Sequence, residues 1–318
     1  MKKSNNKYPI HQSPFYKVNS HKSLAKILFV EPRTVKKILK RGGKNYYFSK
    51  LPESERPLEI PKSQLKRVHA RINNLFSRIE DPSYLNSGVK GRSNVKNARN
   101  HLGEKALVKI DIKSFYPSTT VDMVEKCFIK TFRCSKDVAE TLSKLCCVNG
   151  HLPTGSPISQ SLAFYVNVSI FNHLSIYSKA RQIDFSVYVD DMTFSGKVIP
   201  RSFVSYVTSY INKSRGYKCH KIRTYNASTP KVVTGAVIVS DALKVKYSQQ
   251  TKITKLLSCL DENVKKYDVH SFELVRYFQV LIGHLFSAGQ INGRYYQKGK
   301  KMVEYRKKLG IKLPKQSA

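Results

Sequence analysis

Three acidic residues stand where chemistry could be done. Asp111 closes the apolar run Ala106-Leu107-Val108-Lys109-Ile110, and Asp190-Asp191 lies between two arms rich in β-branched and aromatic residues, Phe185 to Val189 and Met192 to Gly196. The first pattern predicts a strand ending in an acid, and the second a hairpin with carboxylates at its turn. Mg²⁺ takes octahedral oxygen ligands and keeps waters and substrate phosphates in its shell, so two or three protein carboxylates suffice. Transfer from a nucleoside triphosphate calls for two such ions roughly 3.5 to 4 Å apart, one at the attacking hydroxyl and one at the leaving pyrophosphate. Asp111, Asp190 and Asp191 are therefore the candidate catalytic and metal-ligating residues for two Mg²⁺ ions. A solvated turn would explain the adjacent pair alone, so the neighbouring residues must decide.

The elements that must position these acids follow from periodicity and breakers. The first 20 residues read as loosely ordered. Residues 23–39 suit helices broken near Pro32, residues 46–48 and 58–61 short strands, and residues 64–79 a helix. Residues 81–101 are polar and turn-rich, which predicts a mobile basic loop carrying Lys90, Arg92 and Lys96. Helical patterns follow at 123–132 and 138–148, then the breaker-rich stretch 150–157, then a long core helix over 158–177. A helix near 203–213 and strands around 218–224 and 232–239 precede a helical C-terminal region with Phe272, Val275, Phe278, Leu281, Ile282 and Leu285 on one face. The fold class is α+β.

Composition narrows the partner. Lys and Arg number 57 against 21 Asp and Glu, a net charge of +36 in 318 residues. Self-repulsion on that scale brings nothing to an enzyme of small neutral metabolites and points to a polyanion. Both ends are enriched: residues 1–50 hold 13 basic side chains and only Glu31 as an acid, and the residues after 291 hold 9 and only Glu304. Nucleic acid is expected to touch both. No apolar run approaches the roughly 20 residues that span a bilayer, and the N-terminus lacks the apolar core of a secretory signal. The expectation is a cytoplasmic protein with no membrane partner. The six cysteines show no paired C-x-x-C spacing and read as reduced, mostly buried thiols.

Tyr188-Val189-Asp190-Asp191 resembles the Y-x-D-D of reverse transcriptases, and residues 111–118, Asp-Ile-Lys-Ser-Phe-Tyr-Pro-Ser, resemble their first aspartate motif. Residues 152–157, Leu-Pro-Thr-Gly-Ser-Pro, with Ser159 match a third block. Asn97-Ala98-Arg99-Asn100-His101 is similar to the N-A-x-x-H element, and Val233-Thr234-Gly235 to the V-T-G element, of bacterial retron reverse transcriptases. The motifs run from about residue 56 to 240.

That resemblance implies a right-hand polymerase fold: a short basic helical extension (1–48), fingers (49–105), a palm with an antiparallel sheet (106–240, finger helices inserted at 121–149) and a basic helical thumb (241–318). It gives the metal role to Asp111, Asp190 and Asp191. Tyr116 takes the place where a ring under the sugar would collide with a 2′-hydroxyl. Gly155 and Ser156 would let the backbone approach the nucleotide, Gly155 because it lacks a Cβ. Thr154 departs from the pattern, which more often has Gln. Either Lys221 or Arg223 would stand near the triphosphate, and Arg56, Lys90 and Arg92 are further candidates. Asn97 and His101 fall to RNA binding. In the thumb, tyrosines among Lys and Arg suit phosphate neutralisation with stacking, and Arg294, Tyr295, Tyr296 and Lys298 form the preferred contact segment because they show no apolar periodicity.

The implied function is retron-type reverse transcription from dNTP substrates. A cognate structured noncoding RNA is bound and partly copied into branched multicopy single-stranded DNA, primed from an RNA 2′-hydroxyl, within antiphage defence and alongside a separately encoded effector protein. Another bacterial reverse transcriptase, of intron, diversity-generating or abortive-infection type, and a noncatalytic RNA-binding scaffold are the alternatives.

Overall fold

The structure is a computed structural model that describes residues 7–50 and 56–312. Expectations for residues 1–6, 51–55 and 313–318, which belong to the extension, fingers and thumb ranges, lie outside the described residues. Helices α1 (His21–Leu28) and α2 (Pro32–Arg41) precede the antiparallel pair β1 (Tyr46–Lys50) and β2 (Pro57–Pro61). Helices α3 (Ser63–Phe76) and α4 (Asn94–Arg99), strand β3 (Ala106–Ile112) and the short α5 (Phe115–Ser118) come next. Then follow α6 (Val121–Lys130), α7 (Lys136–Cys146), the long α8 (Ser159–Lys179), the hairpin β4 (Asp184–Tyr188) and β5 (Asp191–Gly196), α9 (Arg201–Arg215) and β6 (Cys219–Tyr225). The chain continues through β7 (Lys231–Val233), β8 (Ala236–Val239) and β9 (Ala242–Val245) into α10 (Tyr247–Ser258), α11 (Leu260–Lys266), α12 (Phe272–Gly289) and α13 (Gly293–Lys308). The class is α+β, as expected.

The chain divides into two compact units. The first runs to Arg92 and adds Val108–Phe194 and Ile199–Arg223; the second combines Ser93–Leu107, Ser195–Val198 and the chain from Thr224 on. The central sheet has strand order β4-β5-β3-β6. The main core of the first unit is built on rings: Phe76 lies 5.3 Å from Phe132 and 4.9 Å from Tyr165, with Phe15 and Phe128 against them. Such pairs add about 0.5–1.5 kcal/mol each beyond their buried area. In the second unit α10, α12 and α13 enclose Leu274, Phe278, Leu281, Ile282 and Leu285, with Val275 partly buried against them; this is the face expected from the 3.6-residue period except at Phe272, which is 71% exposed.

Several expectations are corrected. The start of the described chain is not loose: Phe15 is fully buried, Lys17 N–H donates to Phe132 O at 2.8 Å, and Tyr8 bridges to Ile79. The 81–101 stretch is no mobile loop. Tyr84, Leu85, Asn86 and Ser87 are buried, the Arg92 guanidinium holds the carbonyls of Pro82 (2.6 Å) and Leu85, and α4 occupies its end. Polar composition misled because these groups find backbone partners rather than water. The single strand expected over 232–239 is split: Thr234 (φ 43°) and Gly235 (φ 89°) form a two-residue turn between β7 and β8, and consecutive positive φ values suit the tight turn of a hairpin. Of the six free cysteines, Cys127, Cys134 and Cys146 are buried and Cys147, Cys219 and Cys259 only partly so.

Candidate active site

Side chains alternate along β3, so Ile110 and Ile112 enter the core while Lys109 and Asp111 share the opposite face. The β4–β5 hairpin turns on Val189 and Asp190. Val189 has φ 61°, a conformation that a β-branched residue resists, and its N–H is held by the Ser87 hydroxyl at 2.9 Å. The strain fixes where Asp190 and Asp191 emerge.

The three carboxylates converge. Burial first, and then the neighbouring Asp111, push the Asp190 carboxyl up to about 6, because two carboxylates in one partly dry site cannot both ionise freely. Burial also raises Asp191, against the pull of Lys109, whose ammonium lies 2.7 Å from Asp191 Oδ2. His220 Nε2 and Lys221 Nζ stand 3.6 and 3.9 Å from Asp111 Oδ2. The other oxygen of Asp191, Oδ1, is buried with no hydrogen-bond partner among the described residues.

This donor set fits a hard cation, since an orphaned buried carboxylate oxygen and a carboxyl pair competing for a proton both gain from a metal charge. Among the described residues no group of three or more His, Cys, Asp and Glu is placed so that it could hold a metal ion as it stands. Asp111, Asp190 and Asp191 could hold an ion, with Lys109 presently taking one oxygen.

Around them, Tyr116 is partly buried against Phe115, and its hydroxyl is pushed up to about 12 by burial and then by Asp190. The turn carrying it is anchored from behind: Thr119 Oγ1 donates to Phe115 O at 2.8 Å, and Tyr217 OH bridges Thr119 and Asn167 at 2.9 Å each. Lys221 and Arg223 both lie on β6 and serve different acids, Lys221 approaching Asp111 while the Arg223 charge acts on Asp191. Sequence reasoning missed Lys109, His220 and Ser87. Lys109 could have been found from its period-two relation to Asp111; the other two carry no local signal.

The 152–157 block is tied to β2 and α3. A Cβ on Gly155 would stand 2.8 Å from Glu59 O, so what this glycine makes room for is strand β2, and its N–H donates to that carbonyl at 3.1 Å. Thr154 Oγ1 donates to Pro57 O at 2.6 Å and accepts from Glu59 N–H at 3.3 Å. Ser156 Oγ meets His69 Nδ1 at 2.6 Å, while His69 Nε2 meets Leu145 O at 2.8 Å. A carbonyl only accepts, so Nε2 carries the proton and Nδ1 accepts from Ser156. Burial lowers His69 to about 4 and keeps it neutral. Arg56 is exposed at the head of β2, and Lys90 is exposed beyond the buried Ser87. Arg92 is spent on the carbonyls of its own segment.

In the second unit, Asn97 and His101 are fully buried. Their side chains are therefore not surface contacts for RNA, which corrects the expectation; His101 Nδ1 instead lies 2.7 Å from Ser195 Oγ. Helix α4, which holds the start of the 97–101 element, meets the 233–235 element: Asn94 Nδ2 donates to Thr234 O at 3.0 Å, Thr234 Oγ1 donates to Asn94 O at 2.6 Å, and Ala98 and Val233 share one apolar cluster. Arg294, Tyr295, Tyr296 and Lys298 open α13, within the region expected to be helical, with Asn292 capping the Arg294 N–H. Tyr267, Tyr277, Tyr295 and Tyr305 pack on the helical core, whereas Tyr247 and Tyr296 are exposed.

No family model matches the chain. It is 30% identical over 187 residues to the retron Se72 reverse transcriptase of Salmonella heidelberg, covering 56% of this chain and 48% of that one. It is 26% identical over 143 residues to the retron Ec86 reverse transcriptase of Escherichia coli, covering 45% and 44%, and 25% identical over 280 residues to the retron Ec73 enzyme of Escherichia coli, covering 80% and 87%. The chain thus spans about half the length of the first two relatives. Among solved structures, a foamy viral protease-reverse transcriptase in complex with double-stranded DNA overlaps 83% of this chain and 42% of its own, at TM-score 0.44 and 13% identity, a likeness that carries no argument. Over the matched stretches, the chain is a homologue of retron reverse transcriptases.

Proposed function

We propose that this protein is an RNA-directed DNA polymerase of retron type, acting at Asp111, Asp190 and Asp191. The observation that carries the proposal is the convergence of these acids, from a strand end and a hairpin turn, on one partly dry site where Asp190 is driven toward its neutral form. In this reading the β4-β5-β3-β6 sheet is the palm, the region of β1, β2 and α3 belongs to the fingers, and α10 to α13 make the thumb.

The three carboxylates would hold two Mg²⁺ ions, which when bound supply charge neutralisation at the attacking hydroxyl and the leaving pyrophosphate. The primer hydroxyl gives up its proton to solvent as its oxygen forms a bond to the α-phosphorus, the bond from that phosphorus to the bridging oxygen breaks, and pyrophosphate departs. Lys109 orients Asp191. His220 and Lys221 offset the charge of Asp111, and Lys221 and Arg223 give the triphosphate a cationic flank. Tyr116 presents its ring to the sugar and disfavours a 2′-hydroxyl by collision. His69, through Ser156, keeps the 152–157 turn seated on α3.

The template is a cognate structured noncoding RNA, copied in part into branched single-stranded DNA from an RNA 2′-hydroxyl, in antiphage defence with a separately encoded effector. Arg294, Tyr296 and Lys298 would meet the RNA, as a cationic chain with exposed rings can. The test is to sequence the nucleic acid that copurifies with the protein and with Asp190→Asn. The proposal expects a covalent RNA–DNA branch only in the unmodified protein. RNA alone in both would leave a noncatalytic scaffold, and unbranched DNA another type of reverse transcriptase.

A further inference from the structure

The corner between α1 and α2 holds a side chain that its backbone disfavours. Helix α1 ends with Val30 N–H on Ala25 O and Phe29 N–H on Lys26 O, each at 3.1 Å. That pair of bonds forces the residue between into the left-handed region, and Phe29 sits there at φ 56°, ψ 42°. Glycine is usual at this position because any Cβ crowds the backbone. Burial does not repay the phenylalanine, since its ring is 76% exposed. Strain retained to hold an aromatic ring in solvent is a mark of a binding surface.

The surroundings say what would bind. Arg71 on α3 donates Nε to Ile27 O at 2.9 Å, and its guanidinium carbon lies 3.8 Å from the centre of the Phe29 ring. One face of the ring is thus covered by a planar cation already fixed by a backbone bond. Arg67, one helical turn earlier, is exposed on the same groove, a cavity of about 460 Å³ that Thr34, Gln64 and Glu31 also line. The volume is that of a small-ligand site. An apolar partner would leave the charges of Arg67 and Arg71 unanswered, whereas a polyanion with flat bases answers both the ring and the charge.

We propose that Phe29, Arg67 and Arg71 form a binding site for an unpaired nucleobase of single-stranded RNA. The site shares no residue with the carboxylate centre and does not depend on the polymerase reading. The base stacks on the Phe29–Arg71 platform, and the guanidinium groups meet the flanking phosphates. Thr34 and Gln64 each offer a donor and an acceptor, which suits a 2′-hydroxyl and selects RNA over DNA. Glu31 accepts from base N–H groups.

The test is fluorescence anisotropy of the full-length protein, freed of nucleic acid, with a labelled single-stranded RNA of about 12 nucleotides, a length within the usual range for such sites. Phe29→Ala is expected to weaken binding about tenfold, the loss of one stacked base. Arg71→Lys, which keeps charge but not the plane, weakens it comparably, and Phe29→Tyr restores it. Phe29→Gly relieves the backbone, so it raises Tm while losing the same affinity, which separates binding from folding. Unaltered RNA affinity in both Phe29→Ala and Phe29→Gly overturns the proposal, and an equal loss for the matched DNA oligonucleotide overturns its assignment to RNA.

Discussion

The backbone N–H of Val189 donates to the hydroxyl of Ser87 at 2.9 Å, joining residues 102 apart in the chain. The bond holds a β-branched residue at φ 61° immediately before the two acids of the hairpin. Replacing the hydroxyl leaves that strain without its restraint. Ser87→Ala should cost about 1 kcal/mol of stability and reduce primer extension about tenfold. In that background, Val189→Gly should recover stability, because glycine accepts the positive φ. Chemical denaturation of both variants checks this, and a Ser87→Ala variant as stable and active as the parent would remove the bond from the mechanism.

On the proposed reading, Asp190 trades stability for chemistry. Its carboxyl binds a proton more tightly in the folded chain than in the unfolded one, so its contribution is full below about pH 4 and is lost as pH rises through about 6. Without metal, Asp190→Asn should be more stable than the parent at pH 8 by on the order of 2 kcal/mol, the difference fading toward pH 4. Primer extension should fall on the order of 10³-fold or more. Urea titrations at the two pH values measure the first effect; a less stable variant at pH 8 contradicts it.

On the proposed reading, Lys109, paired with Asp191 at 2.7 Å, competes with a metal for that carboxylate. In Lys109→Met the three acids lose a close counter-charge, and metal-free stability should drop by about 2 kcal/mol. Added Mg²⁺ should then raise Tm further than in the parent, because no ammonium has to be displaced. Thermal scans with and without Mg²⁺ decide it, and an equal metal-induced rise in both proteins would show that Lys109 does not occupy the cation's place.

His69 makes the seating of the 152–157 turn acid-sensitive. Its pKa is lowered by burial to about 4, below the 6.5 of the unfolded chain, so its stability contribution is present above pH 6.5 and is lost as pH falls toward 4. The loss is on the order of 3 kcal/mol across that window. His69→Gln should flatten the pH dependence of unfolding there by about one proton, and an unchanged slope would place the acid sensitivity elsewhere.

Gly155→Ala should destabilise the chain by about 1–3 kcal/mol, because the added methyl meets Glu59 O at 2.8 Å. Nucleotide affinity measured well below the new Tm should stay close to that of the parent, since the packing partner is strand β2; a selective loss of nucleotide binding at unchanged stability would reassign the glycine to the substrate.

Much of the local structure could be read in advance. The long core helix, the acid-ending strand and the β4–β5 hairpin are set by hydrophobic period and by the breakers that bound them, and these patterns survive because the core simply buries the face they define. The failures share a cause. Residues 81–92 are a loop, as expected, but read as mobile because Asn86, Ser87 and Arg92 are polar, yet each finds a backbone partner inside the first unit. The start of α13 showed no apolar period because its small apolar set, Tyr295 with Met302, becomes a face only against the helical core.

The sequence by itself determined the chemistry on offer: which residues are carboxylates, that a strand and a hairpin carry them, and that a charge of +36 seeks a polyanion. Those properties are local or additive, so no folding is needed to count them. Only the tertiary structure decided that Lys109 takes Asp191, that Asp111 and Asp190 contest a proton, that Asn97 and His101 are buried, and that Arg71 lies over Phe29. Each is a meeting or an enclosure that distant segments create, and its energy depends on distance and on excluded water, neither of which the order of residues specifies.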